Sequence, residues 1–384
     1  MEREGKSAAI LGIGTAVPEY RMDQADAALR LAEALKEYPD SARWAKRIFR
    51  QSGVETRYTC DPALLEPAIC CRYLPYRSTA SPPTTAERMD LYKRMAVPLG
   101  LKAAQRALAD ALENASSITH LITVSCTGQF LPGLDAVLTE QLGLSPTVNR
   151  IPLTFLGCAA GLKAVILAND IVSGRPDAKI LIVCVELCTL HVQPSAERDD
   201  LYAASFFGDG ASACVVGKAE ANHRGVFQLG LSRSVIFTNS AGLMKWDLGD
   251  FGFKLYLSPE IPKEIGSKIP AEVLHLLGED EALPELWAIH PGGRGIIDIL
   301  QRVFSLSDRQ TEPSRSVLRH YGNLSSATIL FVLDEMKRTR LSAGAGTANG
   351  ISIAFGPGLT AEMIRFAYIP ASVRLPDPAG AAHV

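Results

Sequence analysis

The chain has 384 residues, of which 47% are hydrophobic and 21% charged, and a formal net charge of −2. That length exceeds one ordinary domain, and the composition supports a large packed core rather than disorder. A near-neutral chain without a long basic run excludes a nucleic-acid surface, and no uninterrupted apolar stretch approaches the roughly 18 to 20 residues of a membrane span.

Residues 1–8 are charged and short, which is not the pattern of a secretion signal. Residues 9–14 predict a buried strand and 24–37 a polar helix. From 60 to 85 the chain is irregular and rich in Pro, Arg and Tyr. Pro82-Pro83-Thr84-Thr85 closes that stretch, with Thr85 the expected cap of a long helix over 86–112, interrupted at Pro98. Strand-like and helical patterns then alternate through 120–124, 136–142, 158–172 and 180–186, which predicts α/β layers around a buried sheet. Residues 370–384, with four Ala and three Pro, read as a flexible tail. The eight cysteines are scattered and form no C-x-x-C pair, which predicts reduced thiols in a cytoplasmic protein, with no disulfide framework and no metal site.

A distant internal duplication runs beneath this order. A strand at 120–124 leads to Ser125, and Gly157-Cys158-Ala159-Ala160-Gly161 opens a helix; a strand at 285–289 leads to His290, and Gly322-Asn323-Leu324-Ser325-Ser326 opens another. Ser125 to Cys158 and His290 to Asn323 are both 33 residues apart. Each half then closes on a related segment, Phe207-Gly208-Asp209-Gly210 and Phe355-Gly356-Pro357-Gly358, expected as strand–turn–strand. Three such echoes in register predict two copies of one α/β unit about a pseudo-twofold axis, residues 1–222 and 223–369. Equivalent helix starts then meet at the centre, bringing Cys158, His290 and Asn323 together.

Cys158 lies at a strand-to-helix turn, where exposed amides and the helix dipole favour a thiolate, and its small neighbours admit a substrate. Cys184, Cys188 and Cys214 read as structural. His290 ends an apolar strand ahead of Pro291-Gly292-Gly293; Asn323, taken alone, fits a helix N-cap equally well. Together the three form a set in which a thiolate takes an acyl group and His and Asn hold an oxyanion. The same residue types serve cysteine proteases and glutaminases, so they do not choose the reaction.

Five motifs in order do narrow it: Phe155-Leu156-Gly157-Cys158-Ala159-Ala160-Gly161, Ser205-Phe206-Phe207-Gly208-Asp209-Gly210, His290-Pro291-Gly292-Gly293, Tyr321-Gly322-Asn323-Leu324-Ser325-Ser326 and Phe355-Gly356-Pro357-Gly358. With them the chain resembles the chalcone-synthase-like type III polyketide synthases of the thiolase superfamily, from Ala9 to about Tyr368. The resemblance implies a five-layered αβαβα fold and a homodimer with Leu131 near the interface. It implies that Cys158 carries an acyl group from an acyl-CoA starter, paired with His290 as thiolate and imidazolium. It further implies that His290 and Asn323 hold the enolate from malonyl-CoA, with no cofactor beyond the CoA substrates.

By the same resemblance, Phe207 is a gatekeeper between CoA tunnel and cavity. Thr127, Cys188, His191, Ser325, Phe355 and Leu255 fall on cavity positions, with Phe253 the claimant to the Leu255 place if the register shifts by two. Cys126 and Trp246 replace smaller family residues. Arg47, with Lys46, Arg50 and Gly292, falls at the CoA site, where Trp44 and Gln51 replace family lysines. Loss of an aromatic wall at Leu255 predicts an aliphatic or otherwise non-coumaroyl starter. A single-round β-ketoacyl synthase III is the nearest alternative, and a cysteine hydrolase or a degenerate binding scaffold are more distant ones.

Overall fold

The computed structural model describes residues 8–75, 81–220, 223, 225–278 and 282–370; residues 371–384, within the stretch read as a tail, lie outside the described residues. The first half runs β1 (Ala8–Ala16), β2 (Tyr20–Asp23), α1 (Gln24–Ala34), α2 (Pro39–Gln51), β3 (Thr56–Thr59), α3 (Thr85–Asp110), β4 (His120–Ser125), α4 (Leu134–Gln141), β5 (Asn149–Thr154), α5 (Ala160–Gly174), β6 (Ile180–Leu187), α6 (Arg198–Ala204) and β7 (Asp209–Lys218). The second runs β8 (Val226–Ile236), β9 (Met244–Gly249), β10 (Gly252–Leu257), α7 (Ile261–Leu277), β11 (Leu286–Ile289), α8 (Arg294–Val303), α9 (Asp308–Tyr321), α10 (Thr328–Ser342), β12 (Ala348–Gly356) and β13 (Thr360–Ile369).

Among the described residues nine strands share one sheet, in the order β11-β12-β13-β8-β1-β7-β6-β4-β5. Outward from the junction, β1-β7-β6-β4 is matched by β8-β13-β12-β11, so the duplication is visible in the strand order. Pair directions repeat too: β4–β6 and β11–β12 are parallel, β6–β7 and β12–β13 antiparallel. Within the sheet, the described residues of the two halves pair only at Ala9↔Gln228 and Ile10↔Phe227. Strands β4 and β6 are buried along their whole length, which is why they read as continuous apolar runs rather than alternating ones.

Three buried clusters separate the layers. Ala96, Ala103, Ala104 and Ala107 of α3 pack on the outer face of the first half, against Leu181, Val183 and Val215. Helices α5 and α10 share one cluster with residues from both halves, including Ile182, Val216, Ala354 and Ile364. Helices α7 and α8 cover the second half through Ile265, Ile269, Val273 and Leu300. The result is the thiolase-like αβαβα arrangement. Its central helix accounts for Gly157–Gly174, the one described helical stretch long and apolar enough to cross a membrane by length and composition: 61% of it is buried inside the protein.

Three local expectations are corrected. Thr84, not Thr85, caps α3: its hydroxyl accepts from the Glu87 amide at 3.3 Å, and the Glu87 carboxylate accepts from the Thr84 amide at 2.7 Å. That reciprocal pair satisfies two otherwise open donors, and a cap of this kind contributes about 1 kcal/mol. Pro98 does not interrupt α3, which continues to Asp110 with its alanine seam held on the sheet. The Phe207 segment is not strand–turn–strand, because the connection from β6 to β7 carries α6, whereas β12 and β13 are joined by a tight turn.

Candidate active site

The turn before Cys158 is sharp. Phe155 and Gly157 both have positive φ, 60° and 62°. A Cβ on Gly157 would lie 2.3 Å from Pro357 Cδ, and one on Gly161 would lie 2.1 Å from the Ser326 carbonyl oxygen. Both approaches are closer than any side chain tolerates, so glycine lets the two duplicated turns press together. Cys158 is left half-buried at the seam, ahead of α5.

From the other half, Asn323 points its amide at the nucleophile: Nδ2 lies 4.0 Å from Cys158 Sγ and donates to the Gly292 carbonyl at 3.3 Å. Its Oδ1 accepts from the Ser325 amide at 2.8 Å and the Thr328 hydroxyl at 3.3 Å, which settles which end of the amide faces the sulfur. His290 is 1% exposed, and neither ring nitrogen has a hydrogen-bond partner among the described residues. A buried imidazole left unpaired on both nitrogens is costly unless a ligand completes it.

Burial sets the electrostatics. It pushes the Cys158 thiol up to about 11, although the Ser325 hydroxyl and the Asn323 amide favour the thiolate. It pushes the His290 imidazole down to about 3. Each group alone therefore prefers its neutral form. In His290→Ala the thiol stands alone, so iodoacetamide alkylation of Cys158 should climb about tenfold per pH unit towards pH 11. Alkylation in that variant that is already complete and pH-independent at pH 7 would show that His290 is not what supports the thiolate.

Glu186 was not singled out in the sequence, and it lies beside this site. It is fully buried and accepts from Thr127 Oγ1 at 2.7 Å, from Ser326 Oγ and from the Cys126 amide at 3.2 Å. The Cys126 thiol also lies 3.4 Å from Glu186 Oε1 and 3.1 Å from Ser325 Oγ. Burial raises the Glu186 carboxyl, and its hydrogen bonds oppose that. The signal in the sequence was an acidic residue inside an otherwise apolar strand, which a buried strand keeps only with several donors around it.

Cys158, His290 and Asn323 open onto one cavity of about 610 Å³. Thr127, Cys188, His191, Phe207, Leu255, Gly292, Ser325, Phe355 and Arg47 also line it, as does Arg198, which the sequence reading missed. Lys46 and Arg50 do not: on α2 the cavity face is formed by Trp44, Arg47 and Ile48. Leu131 lies outside the cavity and is 91% exposed.

Phe253 and Leu255 both line the cavity, because residues two apart on β10 share a face. The flat wall missing at Leu255 is supplied next to it. Phe253 stacks between His191 (4.2 Å, 7°) and Trp246 (4.5 Å, 10°). His191 is locked in that slab, its Nε2 2.7 Å from the Thr127 carbonyl and its Nδ1 accepting from the Phe253 amide at 3.1 Å. Burial holds the ring neutral, down to about 4. Leu255 thus lies on the cavity as expected, and Phe253, the other claimant to that place, lies on it too.

Sequence comparison places this site in a family. The N-terminal domain of chalcone and stilbene synthases matches residues 1–220, and the C-terminal domain matches residues 228–370. The chain belongs to the chalcone and stilbene synthase family. It is 33% identical over 367 residues to the alpha-pyrone synthesis polyketide synthase-like Pks18 of Mycobacterium tuberculosis, spanning 94% of this chain and 91% of that protein. The Mycobacterium bovis protein of the same name matches equally. Among solved structures, the C-terminal type III polyketide synthase domain of Steely1, a type I/III hybrid from Dictyostelium, superposes with a TM-score of 0.86 at 30% identity, covering 94% of this chain and 99% of that one. The chain is thus a type III polyketide synthase, an acyltransferase that condenses, and the single-round alternative is not favoured.

Proposed function

We propose that this type III polyketide synthase loads an acyl group from acyl-CoA on Cys158 and extends it by repeated decarboxylative condensation with malonyl-CoA. The observation that carries the reading is the Asn323 amide aimed at Cys158 Sγ, beside an imidazole with two free nitrogens, in one cavity. Loading moves the thiol proton to His290 as sulfur attacks the thioester carbonyl and CoA leaves as a thiol. Malonyl-CoA then loses CO2, and the electron pair left behind becomes an enolate whose oxygen takes hydrogen bonds from His290 and Asn323. That carbanion attacks the Cys158 thioester, lengthening the chain by two carbons and freeing the thiol.

Phe207 is the gatekeeper in this reading, Arg47 faces the CoA phosphates, and the thioester supplies the activation, so no further cofactor is called for. The name of the mycobacterial relatives supports release as a pyrone, with a resorcinol or related ring the other form of cyclised product. Acyl-CoA starters of graded length, incubated with malonyl-CoA and followed by mass spectrometry, test this. Products carrying two or more added ketide units are expected; products stopping at one β-ketoacyl unit for every starter would favour a single-round enzyme.

The two-unit division at 1–222 and 223–369, a cytoplasmic location and a twofold homodimer belong to the same reading. All eight cysteines are free, which suits a reducing compartment. Leu131, at 91% exposure, is a large apolar side chain for a partner to cover. Light scattering at micromolar concentration should return twice the 41.3 kDa chain mass, and Leu131→Asp should lower it; a monomer in the unsubstituted protein would refute the dimer.

A further inference from the structure

We propose that Arg57 is a positioning residue for the condensation step, holding the segment Phe206–Gly208 on which Asn323 depends; the inference rests on the reading just given. Arg57 is on β3, away from the cavity lining, and only 3% exposed. Its Nη1 donates to the Phe207 carbonyl at 2.6 Å. The same segment also pairs with Asn323: the Asn323 amide donates to the Phe206 carbonyl at 2.8 Å, and the Gly208 amide, on the peptide whose carbonyl Arg57 holds, donates to the Asn323 carbonyl at 3.0 Å. Two successive peptide groups are therefore fixed: Asn323 holds both, and the buried guanidinium takes the carbonyl of the second.

Close packing gives that arrangement no slack. A Cβ on Gly322 would lie 2.4 Å from the Phe206 carbonyl oxygen and 3.5 Å from Arg57 Cδ, and one on Gly208 would lie 3.1 Å from Arg57 Cβ. Burial lowers the Arg57 guanidinium to about 10, with the Asp209 carboxylate opposing the shift. At neutral pH the group is a cation, and its hydrogen bond to a carbonyl belongs to the stronger, charge-assisted kind. Its Nε is buried without a partner among the described residues, so the cation is retained at a cost that simple packing does not explain.

Asn323 acts on the enolate and does little in starter loading, so loosening its backbone should separate the two steps. A displacement of about 1 Å at a catalytic group is enough for roughly 100-fold. The test compares Arg57→Lys and Arg57→Met with the unsubstituted protein, measuring Cys158 acylation by intact mass and the kcat and KM for malonyl-CoA in condensation. In Arg57→Met, acylation is expected within about threefold of normal while kcat for condensation falls by about 100-fold with KM little changed. Arg57→Lys, which keeps a charge and a donor, should recover at least tenfold of that loss.

Equal losses in acylation and condensation would make Arg57 merely structural, and unchanged kcat in both variants would overturn the proposal outright. If Arg57→Met does not fold, Arg57→Lys decides: a kcat loss with acylation intact supports the proposal, and anything else sinks it. Failure of the unsubstituted protein to load or condense would instead count against the proposed function itself.

Discussion

Cys158→Ala is expected to abolish polyketide formation and the mass shift produced by acyl-CoA, while slow decarboxylation of malonyl-CoA persists. The substitution removes the only proposed acyl carrier, and a covalent route cannot be replaced by binding alone. It leaves the Asn323 amide and the His290 ring in place, and these are the groups assigned to the enolate. The fold should survive, since alanine already occupies the next two positions of the same turn and Cys158 is not fully buried. Cys126 and Cys188 line the same cavity yet are poor substitutes. Burial pushes both thiols well above the ordinary range, and the nearby Glu186 carboxylate opposes a thiolate at either one. An acyl adduct found on Cys126 or Cys188 in the unsubstituted protein would overturn the assignment.

Much of the layered fold was legible because burial writes itself into composition. Strands β4 and β6 are covered on both faces and read as apolar runs, and the duplicated helix starts keep a spacing that no mutation of single residues erases. Cys158 and Asn323 were legible as twins because they sit at equivalent helix starts of the two copies, and His290, the counterpart of Ser125, ends the strand of the second; the structure brings all three to one cavity. What the sequence concealed were contacts that depend on three dimensions. Pro98 reads as a break, but a helix clamped on a sheet by four alanines runs through it. The His191–Phe253–Trp246 slab joins the turn after β6 to the β9–β10 hairpin, segments that share no periodicity, so the ring beside Leu255 was not legible. Lys46 and Arg50 are near Arg47 in sequence, yet neither lines the cavity. Glu186 and Arg57 have meaning only through their partners, which lie 59 to 140 residues from Glu186 and 150 from Arg57.

Asn323→Ala should depress condensation by roughly two to three orders of magnitude and leave starter acylation of Cys158 largely intact, because one preorganised oxyanion donor is typically worth about 3 to 4 kcal/mol. The asymmetry follows from where charge develops. In loading, the nucleophile is the sulfur, and the Asn323 amide gives its thiolate only a long contact at 4.0 Å, beside the Ser325 hydroxyl. In decarboxylation, the thioester oxygen of malonyl-CoA becomes an enolate oxygen, and a donor already oriented there needs no reorganisation. Orientation is secured at the far end of the side chain, where Oδ1 accepts from Ser325 and Thr328. Alanine therefore also strips a partner from the buried Ser325 amide, an unsatisfied donor costing about 1 to 3 kcal/mol of stability. A thermal melt separates that loss from the catalytic one: a modest fall in Tm with normal acylation and condensation lowered at least 100-fold fits the assigned role. Acylation and condensation falling together by the same factor would reduce Asn323 to a structural cap at the start of α10.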